Sequence, residues 1–198
     1  MRGGPSPPRH REGNRVAAPE VRLETERLVL RLPELGDWPR YAELFMHPTA
    51  ASHIGGPMLR ADAWRKFLQM PGAWMVQGFA MFSVVEKSSG LWLGFAGPWF
   101  PEGWPGTEVG YAFHYDAWGK GHATEACAAA MDWAFDHLGW TDVIHSISPE
   151  NTASQAVAMR LGSRNRGPGA LPPPLDQHAI DIWGQTRDEW RTRRAKVA

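Results

Sequence analysis

Short runs in which apolar and polar residues alternate predict β-strands in the first two thirds of the chain. Alternation begins at Leu23 and leads into Leu28–Leu30, which predicts a strand. Two apolar runs, Phe79–Val85 and Leu91–Trp99, are separated by a Gly-containing turn, and a further run, Thr107–His114, follows. Three successive strands without a helix between them predict an antiparallel meander.

Apolar residues change to the helical period in four segments. These are a helix with Asp37 at its N-cap that ends at Pro48, then Asp62–Gln69, Thr124–Leu138, and Asn151–Leu161. Gly139 and Gly162 stand where helices commonly end. A strand at Asp142–Ser148 separates the last two helices, and a long loop leads to a final strand at Ala179–Trp183.

This order of elements predicts an α+β fold. We expect a mostly antiparallel sheet with helices on both faces and a strand–loop–helix–strand unit near its centre. Residues 1–19 are rich in Gly, Pro and Arg and offer little to bury, so we expect a disordered tail there. Residues 20–198 then form a single domain, which suits a chain of 198 residues.

Composition narrows the function classes. Lys and Arg together equal Asp and Glu at 21 each, which disfavours a nucleic-acid partner. The single cysteine, Cys127, excludes an internal disulfide, and the scattered histidines do not predict a metal site. No apolar run approaches the roughly 20 residues of a membrane span, and no signal peptide is visible, so we expect a cytoplasmic protein without membrane attachment.

The strongest local motif is the segment Trp118–Thr124, which contains Gly119 and Gly121 and connects a strand to a helix. Two close glycines let backbone N–H groups converge, and the first turn of a helix adds further unpaired N–H groups. Such a loop suits a phosphate or diphosphate. The spacing alone equally fits a tight turn with no ligand.

Two common phosphate-binding motifs do not match this loop. A P-loop requires Gly-x-x-x-x-Gly-Lys-Ser/Thr, which is absent from the segment. A dinucleotide fingerprint requires a third glycine where Thr124 stands. A nucleotide-binding fold would also need a parallel sheet, and an antiparallel hairpin at Phe79–Trp99 would exclude it.

The same segment carries a family resemblance. Glu108–Phe113 followed by Trp118–Ala126 resembles the central motif of the GNAT acetyltransferases, and in particular its RimJ/RimL-type branch. Similar motifs stand in the same order at Leu23–Arg31, at Pro149–Ser154, and at Thr186–Trp190. The resemblance implies an acetyl-CoA-dependent N-acetyltransferase with no metal. It does not identify the acceptor amine, which is either a protein N-terminal α-amine or a small-molecule amine.

The resemblance also implies roles for particular residues. The residues expected to hold acetyl-CoA are Tyr111, Ala112, Phe113, Trp118, Gly119, Lys120, Gly121, His122, Ala123, Thr124, Asn151 and Ser154. Glu108 is the first candidate for the base that deprotonates the amine, and is alternatively a surface carboxylate at a strand end. His145 is the second candidate, and is alternatively a hydrogen-bonded histidine of the sheet. Ser154 is placed near the sulfur as a proton donor, although Asn151 and Ser154 also fit an ordinary helix start. Cys127 is expected to be a core residue.

Two departures leave the function open. Many GNAT enzymes carry a tyrosine on the helix that follows the strand after the glycine loop, and Asn151–Leu161 contains no equivalent. The stretch Asn165–Leu175 is rich in Gly and Pro where a strand is expected. The alternative is therefore a catalytically silent acyl-CoA-binding sensor or scaffold. The loops His53–Pro57 and Trp99–Gly106 are expected to flank the acceptor entrance. A monomer and a homodimer are both compatible with the sequence.

Overall fold

The computed structural model describes residues 20–197, which build one eight-stranded sheet with helices on both sides. The predicted disordered tail at residues 1–19 lies outside the described residues. The strands are β1 (Arg22–Glu24), β2 (Leu28–Arg31), β3 (Phe82–Glu86), β4 (Trp92–Trp99), β5 (Glu108–Phe113), β6 (Asp142–Ile147), β7 (Arg164–Gly169) and β8 (Ile180–Thr186). The helices are α1 (Trp38–Met46), α2 (Pro48–Ala51), α3 (Arg60–Gln77), α4 (His122–His137), α5 (Thr152–Leu161) and α6 (Arg187–Val197).

The strand order is β1-β2-β3-β4-β5-β6-β8-β7, and every neighbouring pair is antiparallel except β5 with β6. The predicted mostly antiparallel sheet and its β5–loop–α4–β6 unit are thus confirmed. The antiparallel pairing of β3 with β4 excludes the parallel nucleotide-binding sheet considered as an alternative.

The parallel contact between β5 and β6 is confined to one end of the two strands. Glu108 is the residue of β5 that pairs with β6, and its partner is Ile144. Beyond that pair β5 continues to Phe113 beside β4 alone, while β6 pairs on its other edge with β8. The sheet is therefore divided by a gap that begins after Glu108.

Helix α4 fixes the position of the loop that precedes it. Its buried stripe packs against the sheet through small side chains and one methionine, all fully buried: Ala126, Cys127, Ala130, Met131 and Ala134. Small residues bring a helix close to a strand, and burial of apolar surface holds it there. The first turn of α4 consequently lies at the end of β5.

The N-terminal third differs from its prediction in three places. The first helix ends at Met46, and Pro48 begins a further short helix, α2. The predicted first strand is two strands, because the chain turns at Thr25, whose N–H donates to Leu28 O at 3.0 Å, and β1 then pairs with β2. The helix predicted at Asp62–Gln69 extends over Arg60–Gln77 and includes Pro71. The last turns bury Trp74 against Phe82 and Trp133, and this packing offsets the hydrogen bond that proline removes.

The C-terminal third also differs from its prediction. The Gly- and Pro-rich stretch does form a strand, β7, at the sheet edge, where proline is tolerated because the outer N–H needs no partner. Its pairing with β8 shifts register between Asn165 and Pro168. Helix α6 is polar on most of its surface and has no apolar period that predicts it; Trp190 anchors it by donating to Asp132 Oδ1 at 2.7 Å.

Candidate active site

The loop between β5 and α4 presents a run of unpaired backbone N–H groups. Gly119 and Gly121 have φ of 74° and 80°, a left-handed conformation that glycine adopts without steric cost. Gly121 is the N-cap of α4. Among residues 20–197, no acceptor takes a hydrogen bond from the N–H groups of residues 119–124. Together with the positive end of the helix dipole, these groups form a candidate anion site.

A second set of free peptide groups lies along the edge of β5. His114 N–H donates to Leu93 O at 2.8 Å, and the antiparallel alternation then turns the peptide groups of Val109, Tyr111 and Phe113 away from β4. These groups face the gap between β5 and β6. Val109 O accepts from His145 and Phe113 O accepts from the Trp118 indole at 2.8 Å. The N–H and C=O of Tyr111 remain to bind an extended amide-bearing ligand.

His145 fills the base of this gap. Its Nδ1 lies 2.7 Å from Val109 O and its Nε2 lies 3.0 Å from Ser163 Oγ, which in turn accepts from Gln185 Nε2. Burial lowers the pKa of His145, so the ring is neutral near pH 7, with Nδ1 donating to the carbonyl and Nε2 accepting from the serine. These contacts are those of a structural histidine, which leaves Glu108 as the stronger candidate base.

Glu108 is buried at the point where β5 meets β6, so its alternative interpretation as a surface carboxylate is wrong. Its Oε2 accepts from Trp104 Nε1 at 2.6 Å and from Ser146 Oγ at 2.8 Å. Gly110 leaves room for the carboxyl, because a Cβ there would lie 3.3 Å from Glu108 Oε1. Burial raises the pKa of Glu108 even though both hydrogen bonds lower it. A carboxyl with a raised pKa is suited to proton transfer near neutral pH.

Trp104 ties this carboxyl to one of the two loops expected at the acceptor entrance. It lies in Trp99–Gly106, and its ring packs edge-on against Trp99 with centroids 6.4 Å apart. On the other side, a Cβ at Gly103 would meet Pro172 Cβ at 3.3 Å, so this loop also contacts the long connection before β8. Glu108 is therefore joined directly to a loop of aromatic side chains.

Across the gap, Tyr111 on β5 contacts the first turn of α5. Its hydroxyl donates to Ser154 Oγ at 2.9 Å, and Ser154 N donates to Asn151 Oδ1 at 3.1 Å. Asn151 is thus the N-cap of α5, as one of the two sequence interpretations expects. Burial raises the pKa of Tyr111, so its hydroxyl stays protonated at neutral pH. The Tyr111 hydroxyl is a functional group that the sequence pattern does not reveal, because it reaches a residue 43 positions away.

The residues predicted from the sequence take different places around the gap. Trp118 and Lys120 are exposed in the loop, whereas His122 is buried at the first residue of α4. Cys127 is fully buried in α4, and burial raises the pKa of its thiol, so it is not a thiolate nucleophile.

Comparison with known proteins places this geometry in a family. A family model described as an acetyltransferase (GNAT) domain matches residues 27–164, more than half of the chain. The chain belongs to the GNAT acetyltransferase family. Enzymes of this family bind acetyl-CoA and an acceptor, and the unpaired N–H groups of residues 119–124 fit the diphosphate of that donor.

Relatives of the GNAT domain agree with this assignment. The chain is 29% identical over 148 residues to an uncharacterized N-acetyltransferase, p20, of Bacillus licheniformis. The matched region covers 73% of this chain and 83% of that protein. An acetyltransferase structure from Agrobacterium tumefaciens covers 89% of this chain and 99% of its own, with 28% identity and a TM-score of 0.73. A putative ribosomal-protein-serine acetyltransferase from Vibrio cholerae shares the fold at 20% identity and TM-score 0.70, covering 86% and 99% of the two chains. The protein is an N-acetyltransferase of this family.

Two further findings concern residues 20–197 only. This part of the chain holds no group of three or more His, Cys, Asp or Glu side chains arranged to bind a metal ion. Within the same range, no helix combines the length and the apolar character that crossing a membrane requires.

Substitution of Gly121 tests the anion site. We expect Gly121→Glu to abolish CoA binding measured by calorimetry, because it adds a negative charge beside the free N–H groups. Gly121→Ala is the matched control, since it shares the strain of a φ of 80° without adding charge. CoA affinity retained by Gly121→Glu would show that the loop does not bind the diphosphate.

Proposed function

We propose that this GNAT protein is an N-acetyltransferase of the RimJ/RimL type. It transfers an acetyl group from acetyl-CoA directly to a primary amine in a ternary complex. The amine is either the α-amino group of a protein N-terminus or an amine on a small molecule. The observation that carries the proposal is the buried Glu108 carboxyl at the head of a gap lined by unpaired backbone groups.

Binding of the donor is assigned to backbone groups first. The N–H groups from Gly119 to Thr124 hold the diphosphate, and Trp118 anchors their loop to the end of β5. Tyr111, with Ala112 and Phe113 beside it, holds the pantetheine arm through its free N–H and C=O. An oriented N–H that stabilises the developing oxyanion contributes about 3 kcal/mol.

Glu108 is assigned as the base. An alkylamine is mostly protonated at pH 7 and must lose a proton before it attacks the thioester carbon. Glu108 accepts that proton directly or through a water molecule, and the loop carrying Trp104 brings the amine to it. The raised pKa of Glu108 makes it a better proton acceptor than an exposed glutamate.

Ser154 is assigned as the acid. When the new amide bond forms, the carbon–sulfur bond breaks and the leaving thiolate takes a proton from the Ser154 hydroxyl. The Tyr111 hydroxyl donates to Ser154 Oγ and replaces that proton, and the phenol then regains a proton from bulk water. Tyr111 thus supplies a phenol from β5. Many GNAT enzymes instead supply it from a tyrosine on the helix after the next strand. Asn151 orients the turn that carries Ser154.

Direct transfer without a covalent enzyme intermediate is supported by the chemistry of Cys127. The thiol is fully buried in the core, with a pKa raised by that burial. Holding the amine and the thioester together then supplies much of the acceleration. The cytoplasmic location, the lack of a nucleic-acid or membrane partner, and the monomeric or homodimeric state remain predictions from the sequence.

The enzyme is separated from a catalytically silent acyl-CoA-binding module by an acceptor screen. The protein is incubated with acetyl-CoA and a panel of free-N-terminus peptides, polyamines and aminoglycosides, and release of the CoA thiol is followed. We expect amine-dependent release with at least one class. Tight CoA binding by calorimetry without release for any amine would favour the silent module.

Glu108 predicts a pH dependence. Because burial raises its pKa, the carboxyl becomes protonated as the pH falls through that raised value, and kcat at saturating substrates should decrease on the acid side at a pH above the ordinary glutamate pKa of about 4.3. Glu108→Gln should lower kcat about a hundredfold and remove this acid limb. Glu102→Gln, an exposed residue of the same loop, should change neither. An unchanged profile in Glu108→Gln would exclude Glu108 as the base.

Ser154 is tested by its alanine variant. Ser154→Ala removes the hydroxyl but keeps the N–H that Asn151 caps, so α5 should be preserved. We expect a lower kcat with nearly unchanged CoA affinity, because the hydroxyl acts on the leaving sulfur. Thr152→Ala, on the same turn and exposed, is the control. A normal kcat in Ser154→Ala would remove Ser154 from the mechanism.

A further inference from the structure

The turn between β1 and β2 is attached to the start of α4 by several hydrogen bonds. Arg27 N–H donates to Glu125 Oε1 at 2.9 Å and its Nε donates to Glu125 Oε2 at 2.7 Å. Thr25 Oγ1 donates to the same Oε1 at 2.5 Å. Glu125 lies in the first turn of α4, so one carboxylate joins two segments that are 98 residues apart in the sequence.

Arg27 also contacts the candidate anion loop itself. Its Nη1 donates to Lys120 O at 2.8 Å, and a Cβ at Gly121 would lie 3.5 Å from its Nη2. The peptide bond is planar and trans, so the C=O of Lys120 and the N–H of Gly121 point in opposite directions. Fixing that C=O on the guanidinium therefore turns the N–H of Gly121 away from Arg27. Gly119 and Gly121, on either side of Lys120, would otherwise let this peptide rotate.

We propose that Arg27 is a positioning residue for the acetyl donor: it holds Lys120 O and thereby aims the Gly121 N–H at the donor's diphosphate. The inference rests on the proposed function, which assigns the diphosphate to this loop. Arg27 acts through the backbone, because its Nε and Nη2 are already directed to Glu125 and its Nη1 to Lys120 O.

The charges of Arg27 and Glu125 agree with this role. A carboxylate in the first turn suits the helix dipole but repels a bound diphosphate. Arg27 Nη2 lies 2.6 Å from Glu125 Oε2 and neutralises that charge. Burial alone would raise the pKa of Glu125, yet hydrogen bonds from Thr25 and Arg27 hold it below its usual range. Glu125 stays ionised and keeps the guanidinium oriented toward Lys120 O.

The planar guanidinium is required for this arrangement. It places separate N–H groups on a carboxylate and on a carbonyl at the same time, whereas a lysine ammonium on a flexible stem does not hold this fixed fork. Arg27→Lys should therefore keep the charge and lose the orientation of the loop. Arg27→Met should lose both.

The experiment compares two ligands that differ in the diphosphate. Calorimetry gives the Kd for CoA, and steady-state kinetics gives kcat/KM for acetyl-CoA and for S-acetylpantetheine, which lacks the diphosphate. We expect Arg27→Met to weaken CoA binding about tenfold or more and Arg27→Lys to recover only part of that loss. With S-acetylpantetheine, Arg27→Met and Arg27→Lys should have the same kcat/KM as the wild type. Arg22→Met, an exposed arginine on β1 that bonds Glu24, is the control for the hairpin.

Each other result has a distinct meaning. Equal CoA affinity in Arg27→Met and the wild type would overturn the positioning role, as would full recovery by Arg27→Lys. If Arg27→Met lowers kcat/KM equally for acetyl-CoA and for S-acetylpantetheine, or lowers the melting temperature together with both, Arg27 is merely structural. A wild-type protein that does not bind CoA would contradict the proposed function itself rather than the role of Arg27.

Discussion

The candidate site depends on backbone N–H groups that the sheet and helix leave without partners. A buried N–H with no acceptor costs about 1–3 kcal/mol, so such groups persist only where water or a ligand meets them. Here β5 separates from β6 after a single register pair, and α4 begins at the exposed end of β5. The N–H groups of residues 119–124 have no acceptor among residues 20–197, and the peptide groups of Tyr111 face the gap.

Three side chains donate hydrogen bonds to backbone carbonyls around this break in the sheet and its loop. Arg27 donates to Lys120 O, and the Trp118 indole donates to Phe113 O. His145 occupies Val109 O in the same way, and its neutral ring forms no ion pair. In each case a side-chain donor satisfies a backbone carbonyl, and beside Lys120 the N–H groups of residues 119–124 remain free. Backbone dipoles held in this way need no reorganisation when an anion binds.

Local patterns were sufficient to predict much of the fold. Alternation and turn residues predicted the meander from β3 to β5, and the helix predicted from Thr124 begins two residues earlier, at His122. Contacts distant in sequence were not predictable in this way. The attachment of Arg27 to Glu125, and of Ser146 to Glu108, depends on strand order and register, which one sequence does not specify. For the same reason the polar helix α6, held by Trp190, has no apolar period of its own.

The most direct measurement of the central claim is the amide chemical shift of Gly119 and Gly121 in ¹⁵N-labelled protein. Titration with CoA should move both amide resonances strongly, because their free N–H groups take up the diphosphate oxygens. Titration with pantetheine, which lacks the diphosphate, should leave these two resonances in place while it shifts Tyr111 on β5. CoA binding that perturbs Tyr111 but neither glycine would contradict the account.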